Sequence, residues 1–151
     1  MEKVLIVEDN QHKLNKINEF IRSVNNELQI KVARSFTSAW DEIKTGEFTL
    51  ICLDMSLPTF EQSESESGGK FRVFGGKELA RKMRRKNIKS KFTFITHYKN
   101  FSDNNKNYSF DELKSELMND YKEQCLGVVF YSNKSSDWRV ELQNILMEID
   151  E

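Results

Sequence analysis

Lys3-Val4-Leu5-Ile6-Val7-Glu8-Asp9 opens the chain with a short unbroken apolar run that stops at two acids. A run without alternation suits a strand buried on both faces, as in a parallel sheet. Beyond it, residues 10–26 carry Leu14, Ile17, Ile21 and Val24 on one helical face. Leu28, Ile30 and Val32 then alternate with polar residues, the pattern of a half-buried edge strand. Phe36, Ala39, Trp40 and Ile43 form a second helical stripe, with Ser35 as its cap and Gly46 as its stop. The opening pattern recurs at Phe48 to Leu53, a second buried strand that again ends in an acid, Asp54. Residues 77–86 read as a helix through Leu79 and Met83, Lys91 to Thr96 as a strand, and residues 110–124 as a helix through Phe110, Leu113, Leu117 and Tyr121. Val128 to Ser132 is a last strand, and Trp138, Leu142, Ile145 and Ile149 mark a closing helix.

Five strands, each followed by a helix, argue for an α/β fold with a doubly wound parallel sheet and helices on both faces. Right-handed crossovers leave few topologies. With the alternating second strand at an edge, the order 2-1-3-4-5 of the flavodoxin-like folds fits best. One domain is expected over residues 1–151, with insertions at about 59–76 and 98–109 that read as mobile surface loops.

Composition narrows the function. The 151 residues include 23 Lys or Arg and 24 Asp or Glu, a net charge of −1 that gives no support to nucleic-acid binding. No apolar run approaches the roughly 18–20 residues of a membrane span, so no membrane partner is expected. The N-terminus carries no signal-peptide pattern, which points to the cytoplasm. Cys52 and Cys125 are too few for a disulfide framework or a zinc motif. The glycine pairs at 68–69 and 75–76 lack the following Lys-Ser/Thr of a phosphate loop and read as hinges around an insert.

In an open α/β sheet, ligands bind beyond the carboxyl ends of the strands, where strand order reverses. In the order 2-1-3-4-5 that point lies between the strands ending in Glu8-Asp9 and in Asp54. Three carboxylates gathered there repel one another, and either a shared proton or a hard cation such as Mg2+ relieves them. Here Val4-Leu5-Ile6-Val7-Glu8-Asp9-Asn10, followed by Leu53-Asp54-Met55-Ser56-Leu57-Pro58, resembles the receiver domain of two-component response regulators. Ile95-Thr96 and the stretch from Gly127 to Lys134 continue the resemblance. It implies Asp54 as phosphoacceptor, Mg2+ held by Glu8, Asp9, Asp54 and the carbonyl of Ser56, and Thr96 and Lys134 on the phosphoryl group. It also implies Tyr131 as an aromatic switch. The implied partners are a histidine kinase or histidine phosphotransfer protein and a separate effector protein, since no output domain follows the last helix. A homodimer is compatible with the resemblance. Turnover of a separate substrate is not expected, only self-phosphorylation and autodephosphorylation.

Two departures bear on this expectation. Ser135 follows Lys134 where the family usually has proline, and His97 follows Thr96 where the family prefers a very small residue. A large ring there predicts slow hydrolysis of a phosphorylated Asp54. The departures keep open a second reading, a non-phosphorylated pseudo-receiver used as a protein-interaction module. A third, a Mg2+-dependent phosphohydrolase of another α/β family, needs an acid at position 56, where Ser56 stands.

Overall fold

A computed structural model describes residues 2–63, 67–103 and 106–149. The chain runs β1 (Lys3–Val7), α1 (Gln11–Val24), β2 (Gln29–Ala33), α2 (Phe36–Thr45), β3 (Leu50–Leu53), β4 (Leu57–Pro58), β5 (Phe71–Arg72), α3 (Gly75–Arg85), β6 (Lys91–Thr96), β7 (Asn100–Asp103), β8 (Lys106–Ser109), α4 (Phe110–Asp120), β9 (Cys125–Phe130) and α5 (Asp137–Ile149). Strands β2-β1-β3-β6-β9 form one sheet, and all of its pairings are parallel. This is the order 2-1-3-4-5 expected from the sequence.

The burial of β1 and β3 follows their composition. β3 is buried throughout and β1 is buried from Val4 onward, as their unbroken apolar runs require. β2 lies at the edge as expected, but the alternation does not set its burial: Ile30 is half-buried, Val32 is exposed and Ala33 is the buried residue. Each sheet face carries its own core. Val7, Ile51, Leu53 and Phe94 meet Ala39, Ile43, Leu79 and Leu113 from α2, α3 and α4. Val4, Ile6 and Cys52 meet Leu14, Ile17 and Ile21 from α1, together with Trp138 and Leu142 from α5. No helix among the described residues is long and apolar enough to cross a membrane.

Three local expectations change. The last strand is Cys125–Phe130 rather than 128–132. Its helix ends sooner than expected, with Tyr121 as the C-cap donating its N–H to the Leu117 carbonyl, and the Tyr121 ring stacks edge-on against Phe92. The turn that follows puts Cys125 beside Phe92 in the sheet. The two insertions also hold regular structure where loops were expected. At the first, β4 just ahead of the stretch pairs antiparallel with β5 inside it, Phe60 N–H donates to Gly68 O at 2.8 Å, and Gly68 and Gly69 take φ of 89° and 71°. Those left-handed values are the reason for glycine there. In the second, β7 pairs with β8, and the ring of Phe101 is buried against Phe74, which also meets Tyr108 edge-on. Residues 64–66 and 104–105 of these insertions lie outside the described residues.

Candidate functional site

The register Val7↔Leu53 sets the ends of β1 and β3 side by side. Asp54 N–H donates to Val7 O at 3.0 Å, so the next residues, Glu8 and Asp54, leave the sheet as neighbours. Both side chains are buried, Glu8 at 1 % and Asp54 at 4 % exposure. Gly76, at the start of α3, donates its N–H to Met55 O, and a Cβ on it would collide with the Asp54 carbonyl oxygen. The glycine pair read as a hinge is therefore a close-packed seat for the Asp54 backbone.

A third charged group sits among these acids. Lys13, in the first turn of α1, is 2 % exposed. Its Nζ lies 2.6 Å from Glu8 Oε1, 3.3 Å from Asp54 Oδ1 and 2.6 Å from the Ile95 carbonyl. Three acceptors match the three N–H bonds of an ammonium. The remaining geometry is equally fixed. Met55 N–H donates to Asp54 Oδ1 at 2.8 Å, and Asn10 N–H donates to Glu8 Oε2 at 3.1 Å. Asn10 Oδ1 in turn accepts from Lys13 N–H and caps α1.

Burial and charge pull in opposite directions here. Burial pushes the Glu8 carboxyl up to about 8, helped by Asp54 and opposed by Lys13. Burial works against the Lys13 charge, but the Asp54 and Glu8 carboxylates overcome it and hold the ammonium above its ordinary value. The sequence reading missed Lys13, although the sequence carries two signals for it. Lys13 lies four residues before Ile17 and eight before Ile21, on the buried stripe. A cation in the first turn of a helix also opposes the helix dipole and calls for a compensating anion.

The residues expected at the site are distributed as follows. Thr96, at the end of β6, is buried, and its Oγ1 accepts the Tyr98 N–H at 3.3 Å. Tyr131, the first residue past β9, donates its N–H to Thr96 O at 2.8 Å. Its ring is buried against Trp138, its hydroxyl donates to Asn133 Oδ1, and the Lys13 Nζ lies 5.9 Å from the ring centroid. Ser56 is buried and donates its hydroxyl to Val73 O. Asp9 is half-buried, and its backbone carbonyl accepts from Arg34 Nη2 at 2.8 Å. Burial raises the Asp9 carboxyl, with Arg34 opposing.

Lys134 is exposed, in the loop beyond β9. It borders a cavity of about 470 Å³ whose wall also includes His12, Lys13, His97 and Asn133. The ammonium paired with Asp54 is that of Lys13, not Lys134. The His97 ring stacks on Tyr98 at 4.1 Å, and burial lowers its basicity, with Lys13 adding to the effect and Asp54 opposing it.

Mg2+, implied by the sequence resemblance, does not fit this arrangement. Two of its expected carboxylate ligands already share a buried ammonium whose three N–H bonds all have acceptors. Among the described residues, no three His, Cys, Asp or Glu side chains gather as a metal site.

No protein-family model matches the chain. It is 26 % identical over 150 residues to an uncharacterized protein, y4jR, of Sinorhizobium fredii, covering 98 % of this chain and 99 % of that one. Among solved structures, a CheY-like response regulator receiver domain from Methanospirillum hungatei superposes with a TM-score of 0.64 at 18 % identity, over 99 % of this chain and 94 % of that one. The response regulator TrrA of Thermotoga maritima, solved with Mg2+ and BeF, gives 0.60 at 18 % identity over 99 % of both chains. TrrA in complex with the histidine kinase ThkA gives 0.58 at 17 % identity over the whole of both chains. The fold of the chain is that of receiver domains.

Proposed function

We propose that this chain is a receiver module of two-component signalling, in which Asp54 accepts a phosphoryl group from a phosphohistidine. The donor is a histidine kinase or a histidine phosphotransfer protein. The observation that carries the reading is the position of Asp54. It sits at the tip of the central strand, where α/β sheets bind ligands, beside a fixed ammonium and one strand away from Thr96. The likeness to TrrA, a response regulator captured with its kinase, supports this class of donor.

In the reaction an Asp54 oxygen attacks phosphorus as the N–P bond of the donor breaks. The imidazole leaves with the electron pair and takes up a proton. Such transfer depends on positioning and on neutralising charge on the equatorial oxygens, more than on covalent help from the protein. Asp54 Oδ1 is held by the Met55 N–H and the Lys13 ammonium, which leaves Oδ2 for attack. Thr96, at the end of the adjacent strand, supplies a hydroxyl that can follow the phosphoryl group. Tyr131, whose N–H is bonded to Thr96 O, is the group through which such a movement reaches the surface.

The test is intact-mass measurement after incubation with a small acyl phosphate. Wild type should gain one phosphoryl group and Asp54→Asn none. An unmodified wild type, or equal gain by both proteins, overturns the proposal. The burial of Asp54 under Lys13 favours a second reading, a pseudo-receiver that binds partners without being phosphorylated. It predicts no adduct from the acyl phosphate or from a phosphorylated kinase.

A further inference from the structure

We propose that Lys13 is the resident cation of the acid pocket and that it replaces a divalent ion, so that Asp54 takes up its phosphoryl group without Mg2+. The inference rests on the reading of Asp54 as phosphoacceptor and adds how the charge at that site is balanced.

The ammonium lies between Glu8 and Asp54, the two carboxylates whose repulsion a metal would otherwise relieve. All three of its N–H bonds have acceptors inside the protein. Seating Mg2+ on the same carboxylates requires the ammonium to leave. Its stem is rooted in the first turn of α1, and the open space beside it is the cavity bordered by His12, His97 and Lys134. A displaced ammonium would move toward another cation there and lose its carboxylates. Like charge on one side and opposite charge on the other hold it in place.

The same placement serves the chemistry. As Asp54 Oδ2 bonds to phosphorus and the N–P bond of the donor breaks, negative charge builds on the phosphoryl oxygens. Lys13 can turn an N–H from Asp54 Oδ1 to one of these oxygens and remain anchored to Glu8 and Ile95. The donor imidazole leaves with the electron pair and a proton from solvent. A charge-assisted bond from a preorganised donor needs no ion recruited from solution.

Two measurements test the inference. The first is a titration with Mg2+ alone, followed by the amide shifts of Met55 and Asn10, which donate to the Asp54 and Glu8 carboxylates. Wild type should show no saturable shift, and Lys13→Met should gain one that Asp54→Asn then removes. A saturable shift in wild type that Asp54→Asn abolishes overturns the inference, even where Lys13→Met fails to fold. The second is adduct formation from the acyl phosphate in EDTA and in Mg2+. Equal adduct in both supports the inference, and adduct only in Mg2+ overturns it. If wild type forms no adduct in either, the phosphoacceptor reading fails, and the Mg2+ titration still decides whether Lys13 holds the cation's place.

Discussion

Lys13 carries the electrostatics of the site on a single side chain. Removing one partner from a buried ion pair leaves uncompensated charge and costs about 3–5 kcal/mol. Lys13→Met should therefore lower the unfolding free energy by about that amount, measured by urea denaturation. Adding Glu8→Gln should recover part of the loss, because it removes one of the two stranded acids. Strict additivity of the two changes would refute the coupling. Glu8 and Asp54 were legible in the sequence because each ends an unbroken apolar run, and adjacent strands bring such ends together. Lys13 was not, because a lysine near the start of a helix ordinarily faces solvent. Only the depth of the pocket beneath it makes the position internal. Lys134 fits a sequence spacing, but the chain leaves the sheet after Phe130 and carries that residue to the rim.

At the scale of elements, the β7–β8 ribbon is held by its aromatic residues. Phe101 packs on Phe74 at the start of α3, Tyr108 meets the same ring edge-on, and Lys77 pairs with Glu116 at 2.7 Å to join α3 to α4. Phe101→Ala should cost about 3–5 kcal/mol, the range for truncating a buried phenylalanine. It should also raise amide exchange through β7 and β8 ahead of the central sheet, and equal exchange in β7, β8 and the central sheet would show that the ribbon is not a separate unit. The sheet elements were readable because their apolar runs are long and periodic. The ribbons were not, because each pairs only two to four residues. Their stability comes from glycines in the left-handed region and from aromatic contacts between segments distant in sequence. A single-chain pattern shows composition there and no partner.

For the molecule as a whole, the buried acid sets a pH dependence. Burial pushes the folded Glu8 carboxyl up from 4.5 to about 8 against the pull of Lys13, so folding favours proton uptake by this group across that window. Stability from this group is therefore complete at low pH and falls as pH rises from 4.5 to about 8. Urea midpoints taken across that window should decline more steeply for wild type than for Glu8→Gln. Parallel profiles would place the titration elsewhere. The parallel sheet was evident from the alternation of strands and helices, its order followed once right-handed crossovers were assumed and the second strand was placed at an edge, and together they fix which strand tips meet. The Ile95 carbonyl gives the same arrangement a mechanical side. It accepts from Lys13 and so fastens the front of α1 across the sheet to the far end of β6. Because Lys13 keeps this bond while it turns one N–H toward a newly charged Asp54, the leading turn of α1 stays strapped to β6 whether or not Asp54 is occupied.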